Sequence, residues 1–162
     1  MRWPFGNKSS RSPSVVRSPD VVLTADEEQE CQRFITSVTK SDEGELYVRP
    51  DVADAFMRNL MAMAMMGRAE RFAVLARSDP DYCPMVCEAA AKATALYPMA
   101  VYLYDFATFL EEFGAPGEAR TMYRAFLERH EAGPIGPIDD SIIRQRDLDA
   151  MVAHAREVLR VE

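Results

Sequence analysis

The chain has 162 residues, 48% of them hydrophobic, and a net charge of −7. A chain of this length forms one domain and buries a substantial core without disulfide or metal support. The first 19 residues hold four of the 19 basic side chains and no acid, so 15 basic and 26 acidic side chains remain in the body. Such a body is a poor ligand for nucleic-acid phosphates, and a nucleic-acid partner is disfavoured.

The composition of residues 1–22, rich in Ser, Pro and Arg, predicts a flexible basic tail. The tail lacks the apolar run of a signal peptide, and Pro4, Pro13 and Pro19 interrupt any amphipathic helix. We therefore expect a cytoplasmic protein. An organelle transit peptide is the less favoured alternative, because such peptides are also rich in Arg and Ser and poor in acids.

The first predicted helix begins after Thr24. Its side chain is placed to cap the helix, and Glu27 three residues later is placed to complete a capping box. The helix should run to about residue 40 and present four apolar residues on one face, namely Cys31, Phe34, Ile35 and Val38. It should end at the turn residues 41–44.

A long helix is predicted for residues 52–77, with Pro50 and Asp51 at its start and Asp79-Pro80 after its end. Gly67 is a point where this helix could bend or split. The middle is apolar over most of its circumference, as in a helix buried on several sides. Only residues 59–67 are free of charge, too few for a membrane span.

The remaining pattern predicts helices over residues 84–97, 99–113, 118–131 and 139–161. The last is one-sided, with apolar residues at spacing three and four, and Asp139 and Asp140 are expected to cap its start. No alternating run is long enough to predict a strand. The sequence therefore predicts an all-α domain of about six helices over residues 23–162.

Residues 100–133 resemble a tetratricopeptide repeat, a helical hairpin of approximately 34 residues that stacks on its neighbours. The residues that carry the resemblance are Leu103, Phe106, Ala107, Leu110, Gly114, Ala119, Tyr123, Phe126 and Leu127. Phe126 departs from the pattern, which usually has a small residue there. The resemblance implies a short irregular stack of antiparallel helix pairs, with a degenerate unit before this one and a C-terminal capping helix after it.

Stacked units of this family use their first helices to form a concave surface that binds a peptide or helix. The residues that the resemblance places on this surface are Val101, Tyr104, Asp105, Thr108, Glu111 and Glu112. The surface would be acidic and aromatic, so a basic or apolar segment is the expected ligand. Charge reversal at Asp105 and Glu111 should weaken binding and preserve helical content. An acidic helix face that is simply solvated is the competing interpretation.

The densest methionine cluster lies in the long helix. Met57, Met61 and Met65 are most simply interpreted as core residues, because methionine fills irregular interior gaps. The alternative is that they form the interface of a homodimer, since a helix apolar on all sides is unusual in so small a protein.

Cofactor and catalytic patterns are scarce. Cys83 and Cys87 lie four residues apart, but neither histidine has a ligand spacing to them, so buried thiols are favoured over a metal site. The chain has no glycine-rich phosphate loop, HExxH or GxSxG motif. We expect no cofactor and no metal, and an enzyme is the least favoured class.

The leading functional hypothesis is therefore an adaptor or scaffold that binds a segment of another protein. Apolar contacts would supply affinity, and the acidic rim would supply specificity. The alternative is a self-associating helical bundle with a methionine-rich dimer interface and no separate ligand.

Overall fold

The computed structural model describes residues 21–41, 44–45, 52–135 and 146–161. Most of the predicted tail lies outside these residues. Val21 is already buried at the edge of the core, and Leu23 packs against the core. The folded part of the chain therefore includes residue 21, two positions before the predicted start of the domain.

Helix α1 spans Ala25–Thr39. The predicted capping box is confirmed: the Glu27 N–H donates to the Thr24 hydroxyl (3.3 Å), and the Thr24 N–H donates to the Glu27 carboxylate (2.8 Å). Cys31 and Ile35 are buried as predicted, whereas Val38 is 43% exposed. After α1, Lys40–Ser41 pairs antiparallel with Gly44–Glu45 in a two-stranded hairpin. The sequence pattern did not predict this hairpin, because strands of two residues are too short to show an alternation.

Helix α2 spans Ala53–Ala76 and is continuous through Gly67, so this glycine does not split it. A single 3-10 turn, Pro80–Tyr82, leads into helix α3, Cys83–Leu96, which has Pro84 in its first turn as predicted. The two helices are lined by almost fully buried alanines, namely Ala62, Ala69, Ala73 and Ala76 in α2 and Ala89, Ala90 and Ala93 in α3. Small side chains allow two helices to approach closely along their length.

Helix α4 spans Ala100–Phe113, and helix α5 spans Pro116–Ala132. Gly114 lies at the turn between them, where an added Cβ would be 2.9 Å from Leu110 Cδ2 and 3.1 Å from Cys87 Sγ. The lack of a side chain at Gly114 therefore lets this turn pack against α3. The sequence predicted both helices and this turn.

The last described helix, α6, spans Leu148–Arg160 and is capped by Asp147, whose carboxylate accepts from the Ala150 N–H at 3.0 Å. The predicted helix over residues 139–161 is corrected accordingly: Arg146 and Asp147 are not helical, so α6 begins at residue 148. Asp139 and Asp140 lie outside the described residues. They do not cap α6, since Asp147 does.

The described residues form six α-helices, and the predicted all-α class is confirmed. Helices adjacent in sequence pack against each other from α1 to α6, and α2 also contacts α4. The Tyr102 hydroxyl donates to Asn59 near the start of both helices, and Arg77 pairs with Glu112 near their ends. Helices α2 and α4 therefore run in the same direction. None of the described helices is both long and apolar enough to cross a membrane.

The methionine cluster lies in the core. Met57, Met61 and Met65 are 4%, 0% and 0% exposed. The interpretation as core residues fits this burial, and the alternative of a methionine-rich surface does not. A dimer interface through these side chains would require the core to open.

Candidate interaction surface

The six residues predicted to line a concave surface divide into three groups. Val101 is only 1% exposed and lies in the core, so it is not available to a partner. Tyr104 and Glu111 contact α6 and α5. Asp105 and Glu112 bind arginines from outside α4, and Thr108 lies between them on the same side of the helix.

Asp105 is bound by Arg146, the residue that precedes the cap of α6. The guanidinium makes a two-pronged contact, with Nη2 at 2.6 Å from Oδ1 and Nη1 at 3.0 Å from Oδ2. The hydrogen bonds to Asp105 raise the pKa of Arg146 against the opposing effect of burial, and the negative charges of Asp105 and Glu70 add to the rise. Such bidentate pairs are the strongest arginine–carboxylate contacts. The carboxylate most central to the predicted surface thus already binds a guanidinium.

Tyr104 is tied to α6. Its hydroxyl shares a hydrogen bond with His154 Nδ1 at 2.8 Å, and its ring makes edge contacts with Tyr123 and Phe126 of α5. The His154 ring stands nearly perpendicular to that of Tyr123. Burial, with the charge of Asp105, raises the pKa of Tyr104. Tyr104 therefore helps to hold α6 in place and is only half-exposed to a ligand.

Glu111 has an internal role as well. The Tyr123 hydroxyl, which belongs to a fully buried ring, donates to its carboxylate at 2.7 Å. Burial, followed by this hydrogen bond, raises the pKa of Tyr123. Charge reversal at Glu111 would therefore disturb the α4–α5 contact directly.

Glu112 joins the ends of α4 and α2. Arg77, the C-cap of α2, donates through Nε and Nη2 to its carboxylate at 2.9 and 3.3 Å, and the same guanidinium lies 5.9 Å from the centre of the Phe113 ring. The hydrogen bonds from Arg77 to Glu112 raise the pKa of Arg77. This second acid of α4 also binds a guanidinium from another part of the chain.

A stripe on α2 faces the same region. Glu70 is exposed and its charge acts on Arg146, Val74 is 65% exposed, and Arg77 binds Glu112. These three residues recur at spacing four and three, which places them on one side of the helix. Val74 is the most exposed large apolar residue within the six helices.

We call the surface formed by these two stripes the α2–α4 face. It consists of Glu70, Val74, Arg77, Asp105, Thr108, Glu112 and Arg146. It holds three carboxylates, two guanidiniums and one exposed aliphatic side chain. Thr108 donates its hydroxyl to the Asp105 carbonyl within α4 and is half-buried.

Helix α6 borders this face and is held by contacts of mixed chemistry. Its Met151 and Ala155 are buried. At its other end, Arg120 of α5 donates to the carbonyls of Val158 (3.0 Å), Leu159 (3.2 Å) and Val161 (2.8 Å). These carbonyls have no helical partner, so Arg120 acts as a side-chain cap for the C-terminus of α6.

Sequence reasoning missed several of these residues, because their partners are distant in the chain. Arg146 lies 41 residues from Asp105, and Arg120 lies 38 to 41 residues from the carbonyls it caps. His154 carried no signal, since its partner Tyr104 is 50 residues away. The Glu70, Val74 and Arg77 stripe was also missed, although its spacing of four and three is visible in the sequence.

The cysteines are free thiols, and burial raises the pKa of Cys31 to about 11 and also raises that of Cys87. Cys83 and Cys87 are half-buried rather than fully enclosed. Among the residues that the structure describes, no three His, Cys, Asp or Glu side chains are arranged to hold a metal ion.

Comparison with known protein families, curated proteins and solved structures found no match for this chain. The resemblance to a tetratricopeptide repeat therefore stays a prediction.

Proposed function

We propose that the protein is an adaptor that binds a basic or apolar segment of another protein on the α2–α4 face. The observation that carries the proposal is that both acids of α4 on this face already bind guanidiniums, Asp105 from Arg146 and Glu112 from Arg77. A guanidinium matches a carboxylate in a two-pronged geometry, so an arginine of a partner would bind these acids by displacing the internal arginine. Val74, 65% exposed on the stripe between Glu70 and Arg77, offers an apolar contact on the same face.

The helix arrangement supports a short, irregular tetratricopeptide-like stack as the scaffold for this face. The helices α2 and α4 run in the same direction, and α5 begins 33 residues after α3, close to the family's period of approximately 34. The helices α2 and α4 themselves do not keep that period, because α2 has 24 residues and α4 has 14. In this arrangement α6 serves as the cap.

An adaptor of this kind requires no cofactor and no catalytic residue, and a cytoplasmic location remains part of the proposal. A homodimer built on Met57, Met61 and Met65 is not proposed, because these side chains are buried in the core.

The proposal is tested by tagging the full chain in its native host and comparing the proteins that copurify with wild type and with Glu70→Lys. Glu70 is preferred to Asp105 and Glu111, since its side chain is exposed while theirs hold Arg146 and Tyr123. Glu128→Lys, an exposed position on α5 outside the face, makes the same change in net charge and serves as the control.

We expect a stoichiometric partner with wild type and Glu128→Lys, and a reduced yield with Glu70→Lys at unchanged helical circular dichroism. Equal recovery with all three proteins would reject the α2–α4 face as the binding surface.

A further inference from the structure

The chain carries a segment with the chemistry that the α2–α4 face is proposed to bind. Residues 1–19 contain four basic side chains and no acid, together with the aromatic residues Trp3 and Phe5. These residues lie outside the described part of the chain. The remainder, by contrast, holds 15 basic and 26 acidic side chains, so attraction between the two parts is expected at low ionic strength.

The point where this segment joins the fold is well defined. Val21 and Leu23 pack at the core, directly before the Thr24 cap of α1. One turn into α1, Glu30 pairs with Arg68 at 2.7 Å and also with Arg71, both in the second half of α2. The start of α1 therefore lies at the level of the second half of α2, against Arg68 and Arg71, while Glu70 and Val74 lie at the same level on another side of that helix.

The segment is also long enough to reach the face. Nineteen residues span up to about 60 Å when extended. A compact domain of this size has a radius of gyration of roughly 14 Å, so every part of its surface lies within that reach. Reach alone does not select a surface. The exposed carboxylate of Glu70 and the 65% exposed Val74 on the same stripe favour the α2–α4 face.

We propose that residues 1–19 bind the α2–α4 face of the same molecule and compete there with the external partner. The proposal rests on the proposed function of that face. Glu70, Asp105 and Glu112 outnumber Arg77 and Arg146 by one charge. A basic side chain of the tail pairs with the exposed Glu70, or replaces Arg146 on Asp105, while Trp3 or Phe5 covers Val74. An external segment then gains access only by displacing the tail.

The first test compares backbone amide NMR spectra of the full wild-type chain and a full-length variant with a neutral tail, Arg2→Gln, Lys8→Gln, Arg11→Gln and Arg17→Gln. We expect shift differences at Glu70, Val74, Asp105 and Thr108, and we expect added salt to move the wild-type spectrum toward that of the variant. Differences confined to the residues next to Val21 would overturn the proposal.

The second test uses a carbodiimide, which joins a lysine amine to a carboxylate as an amide with loss of water. In the full chain, Lys8 should be joined to Glu70, Asp105 or Glu112. The Lys92–Glu88 pair, whose atoms lie 2.9 Å apart, reports that the reaction works. Joining of Lys8 to Glu128 and Glu157 as often as to the face, or no Lys8 product when Lys92–Glu88 forms, would contradict the proposal.

A mixture of ¹⁵N-labelled and unlabelled chains distinguishes the same molecule from a second copy. Products in which Lys8 and the acid carry the same label support binding within one molecule, and products that join different labels at the statistical frequency overturn it. Failure of these tests is separable from failure of the proposed function. If Glu70→Lys still loses the copurifying partner, the face binds a foreign segment and only the tail is ruled out as its occupant.

Discussion

Different kinds of interaction hold α2 to α3 and hold α6 to the rest of the fold. The first contact is a seam of buried alanines contributed by both helices. The second combines the buried Met151 with a histidine, two arginines and an aspartate. Apolar burial depends little on pH and moderately on salt, whereas ionic contacts of exposed groups depend on both.

This difference indicates at which contact an internal side chain can be replaced by a group of a binding partner. A close-packed seam loses stability when it is disturbed and offers no group to an outside ligand. A helix held by separate polar contacts is able to lose one of them and remain folded. The α2–α4 face borders the second kind of contact, so binding there need not disturb the core.

The largest loss of stability is expected from truncating a buried methionine side chain of α2. Met61→Ala should lower the free energy of unfolding by about 2–5 kcal/mol, because a fully buried side chain is replaced by a cavity. Urea unfolding followed by circular dichroism measures this change. Met63→Ala on the same helix is the control, and its loss should be smaller because Met63 is only partly buried. Equal losses at the two positions would show that the packing of α2 is not as described.

A smaller effect is expected at the turn between α4 and α5. Gly114→Ala would place a Cβ 3.2 Å from Leu110 Cα, a backbone atom, and 3.1 Å from Cys87 Sγ. We expect a loss of about 1–3 kcal/mol, since the turn must shift to admit the methyl group. Gly117→Ala, where no atom lies within 4 Å, is the matched control in thermal or urea unfolding. A neutral Gly114→Ala would contradict the close approach of this turn to α3.

The attachment of α6 should respond locally rather than globally. Arg120→Ala removes the donor for three carbonyls, and we expect the local stability of α6 to fall by about 1.5 kcal/mol. Hydrogen exchange measured by mass spectrometry should speed up in Leu148–Arg160 and change little in α2 and α3. Arg124 is exposed on α5, the helix that carries Arg120. Arg124→Ala should leave hydrogen exchange in α6 unchanged. Faster exchange throughout the chain would mean that α6 is part of one cooperative core.

The smallest effect is a pH dependence at the α1 cap. Burial alone would raise the pKa of Glu27, but hydrogen bonds from Lys92 and the Thr24 N–H, with the charges of Lys92 and Arg68, outweigh it and leave the pKa below its ordinary value of 4.5. A lowered folded-state pKa means that the ionised carboxylate stabilises the fold above about pH 4.5, and this stabilisation disappears as the pH falls through the folded pKa.

Urea midpoints measured from neutral pH down to about pH 3 test this assignment. Glu27→Gln should be less stable than wild type at neutral pH and should lose less stability on acidification. Glu128→Gln, at an exposed position on α5, should follow the wild-type curve. Parallel curves for Glu27→Gln and wild type would remove Glu27 as a source of the pH dependence.

The features that the sequence predicted correctly are those determined by residues close together in the chain. The capping box at Thr24, the helix breaks at Asp79-Pro80 and Gly114, and the positions of α2 to α5 depend on a few neighbouring residues, and all were predicted. The start of α6 was placed too early, because Asp139, Asp140 and Asp147 are all capable N-caps and local pattern does not choose among them.

The candidate site was predicted only in part, for the same physical reason. The resemblance to a tetratricopeptide repeat placed Asp105, Thr108 and Glu112 on one surface, but it also placed the buried Val101 there. It did not show that Arg146 contacts Asp105 across 41 residues. Such pairs form only when the helices pack, and no local rule specifies their partners.

The central claim is that the α2–α4 face binds a basic segment, here residues 1–19 of the chain. The most direct measurement titrates a synthetic peptide of residues 1–19 into the full-length chain with the neutral tail and follows the backbone amide signals. We predict saturable shifts concentrated at Glu70, Val74, Asp105, Thr108 and Glu112, weakened by added salt and by Glu70→Lys but not by Glu128→Lys. Shifts scattered over the surface, or shifts that Glu70→Lys leaves unchanged, would contradict the claim.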